Sequence, residues 1–138
     1  MSVGPPTPAP DKVTAFFWEG CPAGKLFIQR CSNCGTYIHL PRPACKTCLG
    51  TNLGPDEVSG RGMLYSWTTA MQAFHPWFVG RIPYLIATIS LPEQAGLRMV
   101  SNLVDCEEGD LRMDMPVGVV FREVAPDLVL PLFTPVVA

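Results

Sequence analysis

Four cysteines within eighteen residues constrain this chain more than anything else in it. Cys31-Ser-Asn-Cys34 and Cys45-Lys-Thr-Cys48 form two CxxC turns separated by a spacer of ten residues. Each turn offers two thiolates, and two such knuckles at the ends of adjacent hairpins bring four together in a tetrahedron. The N-terminus, MSVGPPTPAP, lacks the basic and apolar regions of a secretion signal, so a reducing cytoplasm is the expected location. Paired cysteines there favour a metal over disulfides. Cys31, Cys34, Cys45 and Cys48 are therefore the expected ligands of one structural zinc ion. Four thiolates close the coordination shell and leave no position for a substrate. Iron suits the same S₄ geometry. Cys21 and Cys106 fall outside the pattern and read as small packing or surface residues, as does His39.

The segments around the cysteines suggest how they are held. Asp11–Glu19, DKVTAFFWE, reads as a short helix with Asp11 as N-cap and Gly20 as its stop. Lys25–Arg30 and Thr36–Leu40 read as strands leading into and away from the first knuckle. Pro41 and Pro43 steer the chain into the second. Strand, knuckle, strand, knuckle is the plan of a zinc ribbon. Residues 1–10 are expected to be a flexible Pro-rich lead and residues 11–57 the helix and ribbon. Gly50–Gly62 reads as linker and turn.

Residues 58–138 are expected to be mainly β. Met63, Tyr65, Trp67 and Met71 alternate on one face of a first strand, opposite Ser66 and Thr68, which puts Trp67 in a core. Leu85, Ala87, Ile89 and Leu91 share a face of a second strand. Gly96–Val104, Val117–Val124 and Leu128–Phe133 supply three more. Cys106–Arg112 is the one helix-like piece between the third and fourth. Five strands with that insertion follow the order of an OB-fold barrel. Fifteen prolines and twelve glycines in 138 residues agree with short strands and many turns.

Taken together, FFWEG, LFIQRCSNCG, PRPACKTC, SGRGMLYSWT, IPYLIATISL and MPVGVVF resemble the DUF35 family, over about Asp11 to Phe133. The resemblance implies an N-terminal helix and rubredoxin-like zinc ribbon joined to an OB-fold. It also implies company with acyl-CoA enzymes of the thiolase fold, among them thiolase-like aldolases that release a short acyl-CoA in steroid side-chain breakdown. Some such proteins carry a hot-dog hydratase domain as well. A chain of 138 residues has no room for one, so a stand-alone member or a DUF35 domain by itself is expected. The function expected is that of an auxiliary subunit in a hetero-oligomer with a thiolase-fold partner, with no catalytic residue of its own.

The loop Met71–Tyr84 carries Phe74, His75, Trp77 and Phe78. Large rings in a loop mark either a contact with a partner or ligand, or a cap folded over the barrel end. His75 has no adjacent Asp, Cys or Ser to make it a general base. Arg61, Arg81 and Arg98 are either solvated or placed for CoA phosphates. An independent acyl-CoA-binding protein is one alternative to the auxiliary subunit. A single-strand nucleic-acid binder is another, but it needs a basic groove. From Val58 onward five Arg and no Lys stand against eight Asp or Glu, so no nucleic-acid partner is expected. No apolar run approaches the roughly 20 residues of a membrane helix, and no membrane partner is expected either.

Overall fold

The computed structural model describes residues 4–136. Helix α1 spans Ala15–Gly20 and runs on as a single 3₁₀ turn, Cys21–Ala23, which Gly24 ends in the left-handed conformation. The helix starts later than expected, with Thr14 rather than Asp11 at its N-cap, and Asp11 instead holds the turn that leads into it. Its carboxylate accepts from the Val13 and Thr14 N–H groups at 2.9 Å each. Those bonds hold its pKa below the usual value, the Thr14 N–H most of all. Three strands follow: β1 (Phe27–Cys31), β2 (Tyr37–Ile38) and β3 (Leu53–Glu57), in the sheet order β2-β1-β3. Leu53–Glu57 lies in the stretch expected to be linker. It pairs antiparallel with β1 over five residues, Phe27 against Glu57 through Cys31 against Leu53. Its Gly-Pro-Asp composition hides it, because β1 supplies most of what makes it a strand.

The remaining strands are β4 (Arg61–Ala70), β5 (Tyr84–Ser90), β6 (Arg98–Leu103), β7 (Pro116–Ala125) and β8 (Leu128–Pro135). They close a five-stranded barrel in the order β4-β5-β6-β8-β7, with β6 and β8 parallel. A 3₁₀ turn at Glu108–Asp110 fills the gap between the third and fourth barrel strands, as in the OB-fold order. The two glycines of GRG permit that closure. Gly60 has a positive φ, and a Cβ there would strike Val119. A Cβ at Gly62 would strike Ile89 and the Ser90 carbonyl.

The alternation expected for β4 holds for only part of its length. A register shift between Leu64 and Ser66 makes Tyr65 the extra residue of a bulge. Before the bulge Gly62 and Leu64 point inward, leaving Met63 and Tyr65 exposed. After it Trp67 is half-buried against the core. Trp67 therefore reaches the core, but not on a face shared with Met63, Tyr65 and Met71, all of which are exposed. In β5 the expected face is the inner one: Leu85, Ala87, Ile89 and Leu91 are all buried.

One core runs through both halves. Phe17, Cys21, Leu26, Ile28 and Tyr37 join Leu64, Met99, Val117 and Phe133 in a single buried cluster. Gln94, in the turn between β5 and β6, closes the junction. Its Oε1 accepts from Tyr37 N–H at 2.8 Å and its Nε2 donates to Tyr37 C=O at 3.0 Å. The side-chain amide thereby covers the free edge of β2, as a neighbouring strand would.

Candidate functional site

The first knuckle turns at the end of β1. Gly35 N–H donates to Cys31 C=O at 2.8 Å, and Cys31 N–H donates to Thr36 C=O at 2.9 Å. The second knuckle repeats the turn: Leu49 N–H donates to Cys45 C=O at 3.0 Å, and Cys45 N–H donates to Gly50 C=O at 2.8 Å. Buried Gln29 on β1 sets the approach of the second knuckle. It donates to Arg42 C=O and accepts from Arg42 N–H, each at 2.8 Å. Behind the first knuckle Arg30 lies 4.5 Å from the Tyr37 ring centre and 3.3 Å from Asp56. Tyr37 O–H donates to Asp56 at 2.6 Å, and that bond raises the phenol pKa.

The result is a four-sulfur cluster. The Sγ atoms of Cys31, Cys34, Cys45 and Cys48 all lie within 4.8 Å of one another. The Cys31–Cys48 and Cys34–Cys45 separations are both 3.6 Å. An ion about 2.3 Å from each sulfur at the centre of a tetrahedron would set them ~3.8 Å apart, so the arrangement fits zinc. Local donors favour thiolates at two positions. The Thr36 hydroxyl, with its backbone N–H, brings the Cys34 thiol down to about 6. The Cys48 and Thr47 N–H groups lower Cys45. Cys48 goes the other way. The Gly50 N–H lowers it, but the other three sulfurs and burial push it up to about 11. Four sulfurs this close repel as anions, and a central cation removes the conflict. The chain thus carries a zinc-ribbon domain whose clustered cysteines can bind a metal ion.

Cys21 and Cys106 stay outside the cluster. Cys21 is buried in the core near the Phe17 carbonyl, and burial pushes its thiol up to about 11. Burial, with Asp110 and Asp105 nearby, raises Cys106. His39 is half-buried beside Phe17, ring centres 5.7 Å apart, and burial lowers its pKa.

The ring-bearing loop divides in two. Phe74 is 82% exposed, with Met71 and Val79 exposed around it. Trp77 and Phe78 turn back as a 3₁₀ turn, Pro76–Phe78, capped by His75, whose Nδ1 accepts from Trp77 N–H at 3.1 Å. Phe78 stacks on Tyr84 at 4.6 Å and meets Trp77 edge-on at 5.1 Å. Arg81 lies 4.1 Å from the Trp77 ring centre and donates to the Trp77 carbonyl at 2.7 Å. Arg98 likewise covers Tyr65, at 3.9 Å. Arg61 is exposed.

The sequence reading missed an apolar cleft of about 340 Å³ between the two halves. Phe17 and Trp18 of α1, His39, Leu40 and Pro41 wall one side; residues of β6 and β8 wall the other. Leu40 and Val100 in its walls are 73% and 66% exposed. No local pattern could have revealed it, because its walls come from segments as far apart in the chain as Phe17 and Leu132.

Comparison with known proteins follows the same division. The family model described as "ChsH2, rubredoxin-like zinc ribbon domain" matches residues 18–54. The model described as "ChsH2, C-terminal OB-fold domain" matches residues 56–122. A "DUF35 domain-containing scaffold protein" of Methanocaldococcus jannaschii is 35% identical over 119 residues, 85% of this chain and 82% of that protein. The chain belongs to the DUF35 family.

A second relative is the "Probable enoyl-CoA hydratase alpha subunit" of Thermomonospora curvata. It is 37% identical over 132 residues, 96% of this chain but 40% of that longer protein. The "3-oxo-4,17-pregnadiene-20-carboxyl-CoA hydratase alpha subunit" of Mycobacterium tuberculosis is 33% identical, and this chain spans 34% of it. Among solved structures, a chain of the "Ltp2-ChsH2(DUF35) aldolase" superposes with a TM-score of 0.84 at 36% identity, covering 94% of this chain and 98% of that one. A DUF35 protein of Sulfolobus solfataricus shares the fold, with a TM-score of 0.58 at 17% identity.

Proposed function

We propose that this chain is the DUF35 subunit or domain of a lyase assembly. In it the chain docks a thiolase-fold aldolase that acts on acyl-CoA thioesters in sterol side-chain degradation. One observation carries the reading: the likeness to the DUF35 chain of the aldolase extends over nearly the whole of both chains. In this role Cys31, Cys34, Cys45 and Cys48 hold a structural zinc. The zinc supplies cross-linking and no chemistry, since four thiolates fill its shell. The ribbon (residues 11–57) and barrel (residues 58–138), preceded by the Pro-rich lead (residues 1–10), act together as the docking platform in the cytoplasm.

The contact surface includes the loop of Phe74, His75, Trp77 and Phe78. Exposed Phe74 is the apolar anchor offered to the partner or the thioester. His75 shapes the loop through its bond to Trp77 N–H. Retro-aldol cleavage breaks a C–C bond and leaves an enolate; stabilising that charge falls to the partner, and this chain completes and orients its site. Co-expression with a candidate thiolase-fold aldolase tests the proposal. A stable complex that cleaves a β-hydroxy acyl-CoA is expected, with this chain alone inactive. Turnover by the isolated chain at enzyme-like rates would overturn it, as would the absence of any complex at micromolar concentrations.

A further inference from the structure

The lead is uncharged, and four of its residues 4–10, Gly-Pro-Pro-Thr-Pro-Ala-Pro, are proline. Residues 4–10 form no helix or strand, yet they are not evenly exposed. Pro5 and Pro8 are half-buried, and Gly4, Pro6, Thr7, Ala9 and Pro10 are exposed. A spacing of three is the period of a polyproline II helix, in which residues i and i+3 share an edge. Pro5 and Pro8 form the more buried edge, flanked by Pro6, Thr7 and Pro10, where the lead meets the barrel at two successive places. Pro8 and Pro10 line a cleft with Trp18, Pro22, Leu128 and Val129. Pro5 and Pro6 line a second, of about 240 Å³, with Trp77, Phe78, Tyr84, Leu130 and Leu132. Pro5 to Pro10 covers ~15 Å at about 3.1 Å per residue, a reach that suits a strap along β8.

The second cleft has the features of a proline-recognition groove. Such grooves are lined by aromatic rings and take a stiff, extended segment that loses little entropy on docking. Here Phe78 stacked on Tyr84 forms the floor, and Trp77, held by Arg81, forms a wall. We propose that the groove of Trp77, Phe78 and Tyr84 is a polyproline-binding site, occupied by the chain's own N-terminal lead through the Pro5–Pro8 edge. This goes beyond the subunit role proposed above and does not depend on it. It gives the lead a seat on the barrel.

Two double variants of the full chain test the inference. Pro5→Ser with Pro8→Ser removes the inward edge. Gly4→Ser with Ala9→Ser changes the two residues of this segment that line neither cleft, so the effect of substituting the lead as such is matched. The readouts are the indole N–H resonance of Trp77, assigned with Trp77→Phe, and the binding of a synthetic GPPTPAP peptide. A tethered segment competes at an effective concentration in the millimolar range, so vacating the groove should strengthen peptide binding about tenfold. The inward variant should shift the Trp77 resonance and show that gain, and saturating peptide should return the resonance towards its wild-type position. The other variant should match wild type in both. An unmoved Trp77 resonance in the inward variant, equal effects of the two variants, or peptide binding that neither Trp77→Phe nor Tyr84→Ala weakens would each overturn the inference.

Discussion

The ribbon and the barrel are both small antiparallel β-structures, but they are held together by different forces. The barrel buries a row from every strand, including Leu64, Ile89, Met99, Val117 and Phe133, and its strands close so that no edge is left open. The ribbon's own cluster is Cys31, Ile38 and Cys45, with Leu53 packed against it. Two of those three residues belong to the four-sulfur cluster. So few apolar groups cannot offset the entropy of ordering two knuckles. The ribbon has to gain from ligation what the barrel gains from apolar burial. It also borrows from its neighbour, through the shared core at Ile28 and Tyr37 and through Gln94.

The comparison breaks most visibly at the metal. Zinc ligation should contribute folding free energy on the order of 10 kcal/mol. Chelation, or Cys31→Ser, should abolish hydrogen-exchange protection at Cys31, Cys45 and Leu49, while β5 and β6 amides keep theirs longer. Well-folded protein without stoichiometric metal by elemental analysis would contradict this. Acid should have the same effect as chelation. A lowered thiol pKa favours the metal-ready form above it, and that advantage is lost as pH falls through about 6, where Cys34 takes up its proton. Zinc release followed with a chromogenic chelator should accordingly rise below that pH.

The next effect is expected in the barrel. Phe133 is fully buried where β6, β7 and β8 meet. Phe133→Ala should cost about 3–5 kcal/mol in denaturant unfolding, with zinc content unchanged in the protein that remains folded. A loss of zinc affinity as large as the loss of stability would mean that the two regions are not distinct energetically. The smallest effect sharpens how they are joined. Gln94→Ala removes both bonds to Tyr37 and should cost about 1–3 kcal/mol, read by chemical denaturation and by faster exchange of the Tyr37 amide. If that amide exchanges as in wild type, the shared apolar core alone holds the ribbon to the barrel.

The chain's chemistry was easier to read than its geometry. The CxxC spacing identified all four sulfurs that cluster, and set Cys21, Cys106 and His39 apart from them. The face of Leu85, Ala87, Ile89 and Leu91 followed from a period of two. β3 did not, because Gly54 and Pro55 carry turn chemistry and only the partner strand makes them a strand. The alternation through β4 failed at Tyr65, since a bulge reverses every side chain beyond it and leaves no mark on local composition. The ring-bearing loop stands out in the sequence, but its composition does not show that Phe74 stays outside while Phe78 folds back onto Tyr84 with Trp77 against it.

By itself the sequence determined which residues can bind metal, where the barrel strands begin and end to within a few positions, and the family. Spacing and periodicity are local properties, and local backbone geometry reads them directly. Tertiary structure alone decided what Gln29 and Gln94 do. Each uses one side-chain amide to satisfy a backbone donor and acceptor, thirteen positions away in one case and fifty-seven in the other. It alone decided that a proline-rich lead lies along β8, and that α1 and the ribbon edge wall a cleft with β6 and β8. Those arrangements depend on which surfaces meet once the barrel closes, and a one-dimensional pattern holds no term for contacts between distant segments.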